Sequence, residues 1–472
     1  MLRKLNLTSK EEIVRFISEK DIKILNLCHI PEDGRLKTLS FAATDQKRVF
    51  DVLEFGERVD GSSLFSFIDP NRSDIYIMPK IETAFVNPFS ANPTLNILCK
   101  YLNENGNPLD IAPENILSIA KEKLRTSSYI TLKALAELEF YIISKQEATE
   151  QLFPSIQEKN YHESAPFSKF ENIRNEILDT LASIGIATKY AHGEVGKIVL
   201  KDGTVMEQHE IEPLPQNLTE MAETIAITKW VVRNVCAKHG VSASFSPKIA
   251  LEHAGNGMHI HLCGLKNGRN IVADSDGSLS VDAKKMIGGI LKFASSLTAF
   301  GNAIPVSYVR FISRKESPMH ICWGARNRLA LIRIPLWWSF KQAEGDMDEC
   351  KKTFEFRAPD PSGNAHLLLA AIAVAVRYGL ENAEESLKIA EEIRIERKGG
   401  RRLRSLPKSC SESATHLKRE RKYYEAEGIF PKAVIDGTIK KLRTYKDKDL
   451  AKKLKEEPRK VEELMQKYLH YG

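Results

Sequence analysis

Glu137 and Glu139 stand two residues apart inside the apolar run Thr131–Ile143 (TLKALAELEFYII). Such a run reads as a buried strand, where side chains two apart share a face at roughly 6–7 Å. Buried like charges that close repel, and their uncompensated burial is costly. Divalent cations would compensate them; an edge strand with a wet glutamate face is the alternative. Glu194, Glu210 and Glu355 also sit in strand-like apolar settings, and His259 follows a Gly-x-Gly turn at the start of a strand. Singly, each reads as a solvated strand-face acid or a hydrogen-bonded structural histidine. As a set they lie on short β segments separated by helices, so one sheet could aim them into one cavity. Five carboxylates and an imidazole suit Mg²⁺ or Mn²⁺ rather than zinc. Arg310, Arg326, Arg328, Arg333 and Arg357 fall among apolar neighbours. Guanidinium forks match carboxylate and phosphate oxygens, so metals plus arginines read as phosphoryl transfer from a nucleotide to an acidic acceptor. There is no Gly-x-x-x-x-Gly-Lys-Ser/Thr loop, which argues against a P-loop fold.

These residues need elements to hold them. Residues 1 to about 108 read as a small α/β unit. It has a helix over Ser9–Glu19, strands over Ile22–Ile30 and Gly34–Phe41, and a turn at Val59–Ser63. Short strands follow at Ile75–Met78 and Thr83–Val86, separated by Pro79, then Leu95–Tyr101. The turn-rich Asn103–Pro108 marks a boundary, and Pro113 opens a helix. Beyond it come a helix stopped by Gly185, a strand over Ala187–Glu194, and a hairpin around Asp202-Gly203. Helices are expected over Leu218–His239, Ala283–Phe300 and Ala365–Tyr378. Strands are expected over Phe245–His253, His259–Leu265, Leu329–Ile334 and the alternating Phe354–Arg357. Lys145–Phe167 reads as a loop, and Leu450–Tyr468 as a solvated or oligomer-edge extension.

Composition is that of a soluble globular protein of 472 residues: 42% hydrophobic, 28% charged, formal net charge +7. That mild excess fits an anionic substrate and gives no reason to expect nucleic acid. Seven scattered cysteines without a Cys-x-x-Cys pair point to a reducing compartment rather than a disulfide framework. No signal-peptide core or membrane-span run is present, so a cytoplasmic protein without a membrane partner is expected.

Several motifs, in order, resemble those of the glutamine synthetase family. Val59-Asp60-Gly61-Ser62-Ser63 looks like its Asp-Gly-Ser-Ser segment, and Asn87-Pro88-Phe89 with Asn92–Leu95 like its DPF…PTL segment. Glu137-Leu138-Glu139-Phe140 matches E-x-E-F, and Gly257–His261 matches G-M-H-x-H. Ala325–Arg328 through Arg333–Pro335 matches A-R-N-R…R-I-P, and Glu355–Pro361 matches E-x-R-x-P-D-P. The resemblance implies an α+β fold: an N-terminal β-grasp domain (1–108) and a C-terminal catalytic domain (109–472) with a curved antiparallel sheet flanked by helices. It implies ATP-dependent ligation of ammonia to the γ-carboxylate of L-glutamate through a γ-glutamyl phosphate, with two or three Mg²⁺ or Mn²⁺. One metal would be held by Glu139, Glu194 and Glu210, another by Glu137, His259 and Glu355. Arg310, Arg357 and Gly255 would hold glutamate; His261, Arg328 and Arg333 would face ATP. Arg328 and Glu316, which closes the site, would serve catalysis. Asp60 from a neighbouring subunit would bind and deprotonate ammonium. The implied assembly is a homo-oligomer of stacked rings, a dodecamer, with sites between subunits.

Departures from that pattern cluster on the amino-acid and ammonia side. Ala254 stands where the family has Asn, and Gly193 replaces the second His of His-His-Glu. Glu210 follows Glu194 by sixteen positions, with an Asp-Gly hairpin between them, and Cys263 replaces a Ser. Gly379–Leu406 is different and basic, and reads as a solvated loop or subunit contact. A γ-glutamyl-polyamine or other γ-glutamyl-amine ligase is therefore the alternative, and an inactive structural relative a third reading.

Overall fold

Two sheets carry the chain, and in both the alternation of side chains decides which face is buried. The computed structural model describes residues 5–145, 152–313, 317–337, 351–395 and 403–472. The first sheet comprises β1 (Ile24–His29), β2 (Lys37–Ala42), β3 (Glu57–Asp60), β4 (Asp74–Pro79), β5 (Phe85–Val86) and β6 (Thr94–Leu102). Its order is β2-β1-β6-β4-β3, with β5 beside β6; β1 and β6 run parallel and the other pairs antiparallel. Leu25, Leu27, Ile77, Leu95 and Ile97 share one core with Ile13 and Ile17 of helix Lys10–Glu19 and Val49, Val52 and Leu53 of helix Gln46–Phe55. A Ser9–Glu12 capping box starts the first helix. The second was not expected from the sequence. Its ends are nevertheless marked, by the Asp45 cap and by Gly56 at φ +67°.

The second sheet comprises β7 (Ile130–Ser144), β8 (Thr188–Val199), β9 (Val205–Pro213), β10 (Gln216–Asn217), β11 (Ser242–Ser244), β12 (Met258–Lys266), β13 (Arg269–Asn270), β14 (Trp323–Ala325), β15 (Ile332–Ile334) and β16 (Phe354–Phe356). Its order is β14-β15-β16-β12-β7-β9-β8. The pairs along it are antiparallel except the parallel β14–β15. The even-numbered side chains of β7, Leu132 through Phe140, enter the main core with Ile116 and Leu117 of helix Pro113–Ser128, Met221 and Ile225 of helix Leu218–Lys238, and Leu368 of helix Ala365–Glu381. The odd-numbered Glu137 and Glu139 are thereby committed to the opposite face.

Several expectations are corrected. Only Ser242–Ser244 of the region before His253 is strand. Residues 245–253 turn instead, because Asn256 Nδ2 donates to Ser244 O and Ser246 O and the Pro247 carbonyl accepts from Asn256 N. Strand in Leu329–Ile334 is confined to Ile332–Ile334; the chain turns before it, with Arg326 at φ +56°. Phe354–Phe356 alternates as expected, Phe354 and Phe356 entering the main core and Glu355 facing Arg333 and Arg357, but both faces are buried. Pro79 closes β4, and Ile81–Thr83 is a short 3-10 turn. Gly379–Leu406 is partly helical, through Ala383–Glu392, while residues 396–402 of its basic run lie outside the described residues. Helix Pro305–Ile312 was not expected.

The C-terminal extension also departs from a solvated edge. Its helices, Leu450–Glu456 and Pro458–Lys467, bury Leu450, Val461 and Met465. The last residues bond back to the body: Leu469 O accepts from Ser244 Oγ, His470 O from Arg35 at 3.2 Å, and Gly472 O from Arg233.

Candidate active site

Strand register brings the acids together. Glu137 of β7 lies opposite His259 of β12, and Glu139 opposite Glu210 of β9. Glu210 faces His192 of β8, while His261 of β12 faces Glu355 of β16, which faces Arg333 of β15. Five adjacent strands thus present a row of acids and imidazoles on one face, each aimed by the period of two. The face lines a cavity of about 160 Å³. Its walls hold Glu137, Glu139, Glu194, Glu210 and Glu212, met by His259, Gly255, Arg310, Arg328, Arg333 and Arg357.

The pairing inside is specific. Glu137 accepts from His259 Nδ1 at 2.6 Å and lies 2.8 Å from His261 Nε2. Burial pushes Glu137 up, but the two imidazoles overcome it and hold the carboxylate well below its usual range. Glu355 bonds to Arg333 at 2.7 Å and to Arg357, and its carboxylate is likewise held low against burial. The neighbouring carboxylates behave oppositely. Burial and the charge of Glu194 push Glu139 up to about 8, and burial with the surrounding acids raises Glu210 as well. Glu139 Oε2 accepts from Gly257 N at 2.7 Å and Gln208 Nε2 at 3.1 Å. Buried arginine at Arg310 answers part of the charge, its Nη1 also donating to Ala358 O at 3.0 Å.

Among the described residues, three groups have ligand atoms mutually within 4.8 Å: Glu137, His261 and Glu355; His192, Glu194 and Glu210; Glu137, Glu210 and Glu212. The donors are hard oxygens with imidazole, and burial and neighbouring acids raise the proton affinity of Glu139, Glu210 and Glu212. That donor set fits Mg²⁺ or Mn²⁺. The grouping differs from the expected split. His261 joins Glu137 and Glu355, though His259 stays 3.5 Å from Glu355, and His192 stands with Glu194 and Glu210.

Most expected site residues therefore converge, with His261 inside the acid cluster rather than merely beside it. Asp60 does not line the cavity of its own chain. It caps the turn after β3, accepting from Ser62 and Ser63 Oγ at 2.7 and 2.6 Å, and these hydroxyls hold it well below the usual carboxylate range. Glu316 lies outside the described residues. The sequence reading missed Glu212, His192, Gln208, Tyr161 and Tyr190 as lining residues. Two had a signal: Glu212 follows Glu210 by two, and His192 precedes Glu194 by two. Glu212 is paired with Lys189 at 2.7 Å.

Comparison with known proteins agrees with this geometry. The family description "Glutamine synthetase, catalytic domain" matches residues 110–462, and "Glutamine synthetase, beta-Grasp domain" matches residues 21–104. Glutamine synthetase of Thermotoga maritima is 31% identical over 448 residues, covering 92% of this chain and 97% of its own. That of Pyrococcus abyssi is 30% identical, covering 93% and 95%. Among solved structures, Plasmodium falciparum glutamine synthetase superposes with a TM-score of 0.78 at 21% identity, covering 94% of this chain and 97% of that one. The ADP complex of GmaS gives 0.73 at 21%, covering 92% and 95%. An acid-lined, helix-backed curled sheet behind a β-grasp domain, matched along nearly its whole length, places this chain in the glutamine synthetase family of ATP-dependent carbon–nitrogen ligases.

Proposed function

We propose that the chain joins ammonia to the γ-carboxylate of L-glutamate through a γ-glutamyl phosphate, converting ATP to ADP and phosphate and releasing glutamine. The observation that carries this reading is one cavity holding five carboxylates together with Arg310, Arg328, Arg333 and Arg357. Arginines alone would suit any anion; buried acids beside them are tolerable only with cations, which metal-bound nucleotide phosphates bring.

In this reading Glu137, Glu139, Glu194, Glu210, His259 and Glu355 hold two or three Mg²⁺ or Mn²⁺, with His261 and His192 as further donors. The ions supply charge neutralisation for the transferring phosphoryl group. Arg328 and Arg333 face the ATP phosphates, with His261 beside the nucleotide. Arg333 is also tied to Glu355, which fixes its fork. Arg310 and Arg357, with Gly255, hold the glutamate carboxylates, and the bonds Arg310 makes to Ala358 O and Arg357 to Glu355 orient them in advance. Glu316 shields the acyl phosphate from water. Asp60 comes from a neighbouring subunit of a stacked-ring dodecamer and meets the ammonium ion. Its hydroxyl bonds keep it ionised, the state that binds a cation.

A second reading keeps the phosphorylation and changes the nucleophile to a primary amine. The wall of Tyr161, Tyr190 and His192 beside Glu194 favours it, because aromatic faces bind alkylammonium groups. Phosphate release with ATP, Mn²⁺ and glutamate, measured against ammonium, methylammonium and a polyamine, separates the two. Stimulation by ammonium is expected; stimulation by an amine alone would replace the first reading with the second.

A further inference from the structure

Three oddities of the sequence are Gly193, the long hairpin that follows it between Glu194 and Glu210, and the distant Ala254. In the fold all three touch one segment, residues 158–170. The Ala254 N–H donates to Glu158 Oε2 at 2.9 Å, and His253 Nδ1 lies 3.0 Å from Glu158 Oε1. Gly193 has no side chain where one would collide: an added Cβ would lie 2.6 Å from Asn160 O and 2.9 Å from its Nδ2. The long hairpin supplies Lys197 and Glu207, a buried pair 2.6 Å apart. Lys197 Nζ donates to Phe167 O at 2.6 Å, and Glu207 accepts from Lys169 N at 2.9 Å and Phe170 N at 3.0 Å.

The segment is pinned at its other end as well. Glu158 N donates to Lys197 O and Glu158 Oε1 accepts from Lys197 N, both at 3.2 Å. Asn160 Nδ2 donates to Gln208 O at 3.0 Å, and His162 N to Gly193 O at 2.9 Å. Between these anchors lies Tyr161. It lines the cavity beside Glu194, stacks on His162 at 4.2 Å and meets His192 edge-on at 5.4 Å.

We infer that residues 158–170 form one wall over the end of the cavity bounded by Glu194, His192 and Gly255, and that Glu158 is the positioning residue that sets which nitrogen nucleophile fits there. The logic is geometric. Glu158 spans from the Lys197 backbone to the Ala254 amide, so it fixes the distance between Tyr161 and the Ala254-Gly255 turn. The Ala254 amide is thus held by the same segment that carries Tyr161. The inference rests on the ligase reading of this site for its substrate, and on the contacts alone for its mechanics.

Two measurements test it. Steady-state phosphate release is followed against ammonium and methylammonium for the wild type, Glu158→Ala and Glu158→Gln. E158A is expected to raise the KM for the nitrogen nucleophile about tenfold while the KM for ATP stays within about twofold. E158Q, which keeps an acceptor for the Ala254 amide, should return to within about threefold of the wild type. Equal rises in both constants, or no change in either, would overturn the assignment. Should E158A not fold, E158D, charged but shorter, is expected to raise the nucleophile KM about threefold. Hydrogen exchange on the full-length protein is the second measurement. Residues 158–163 and 253–257 should lose protection together in the variant; loss confined to 158–163 would refute the tie. A wild type that releases no phosphate with any nucleophile would defeat the ligase reading, while the exchange result still decides whether Glu158 couples wall and turn.

Discussion

The two ends of the cavity are built by different means. At one end Glu137, His261, Glu355 and Arg333 stand on neighbouring strands, and each acid meets a cation or an imidazole across a rung of the sheet. At the other, Glu194, His192 and Glu210 stand on β8 and β9, and Tyr161 reaches them from a loop laid over that hairpin. The first end cannot change without shifting strand register, which would flip every side chain. The second can be reshaped by altering a few loop contacts. On the reading proposed above, the ligase can thus keep its phosphoryl-transfer half and change its nucleophile half. The departures at Ala254, Gly193 and the hairpin all lie on the changeable side.

The sharpest break in this contrast comes from Glu137, which both His259 and His261 address. Glu137→Gln keeps the shape and removes the charge. Loss of about a thousandfold or more in kcat/KM is expected, equally with every nitrogen nucleophile. A loss seen with ammonium but not with an amine would show that the two ends are not separable.

One step smaller is Gln208, which reaches Glu139, Gly255 O and Asn256 through a single amide nitrogen. Because it orients Glu139, a metal ligand in the proposed reading, without being one, Gln208→Leu should weaken Mn²⁺ about 10–100-fold. Calorimetric titration of the full chain with Mn²⁺ would read it, and unchanged affinity would remove Gln208 from the site.

Proton linkage sharpens the same contrast. Glu139 is pushed up to about 8 from an ordinary 4.5, burial being the chief cause and Glu194 the next. Between those values the folded chain holds a proton that the unfolded chain has lost. This group therefore subtracts stability as pH rises from about 4.5 to about 8, and no further above. In chelator-treated protein, E139Q should gain Tm relative to the wild type across that window. A constant difference from pH 5 to pH 8 would contradict the raised proton affinity. Glu137 has the opposite sign, since its imidazole partners hold it low.

How legible the site is in the sequence follows from the same division. Glu137, Glu139, His259 and Glu355 are readable because a strand's period of two states which side chains share a face. Glu212 and His192 obey that period and could have been read with it. Arg310 was legible by type, while its helix Pro305–Ile312 is eight residues long and leaves little periodic signal. Phe245–His253 misled because its apolar residues look like strand. Its backbone is instead taken by the Asn256 side chain, a contact between residues that local pattern does not link. Tyr161 had no signal, for its loop has no period and owes its place to Glu158, Asn160 and a buried Lys197–Glu207 pair.

The smallest expected effect is also the most local. Gly193 sits under Asn160, and its φ is not of the left-handed kind that demands glycine, so only space forbids a side chain. Gly193→Ala would place a methyl 2.6 Å from the backbone oxygen of Asn160, which is not the free end of a flexible chain. The loop must lift, at a cost of about 1–3 kcal/mol typical of overpacking. The strands under it keep their register, because His192 and Glu210 remain paired across β8 and β9. A modest fall in Tm is therefore expected together with a severalfold rise in the nucleophile KM and an unaltered KM for ATP. If the ATP constant moved as well, the strain would be reaching Glu137 through the sheet, and the two ends would be one mechanical unit rather than two.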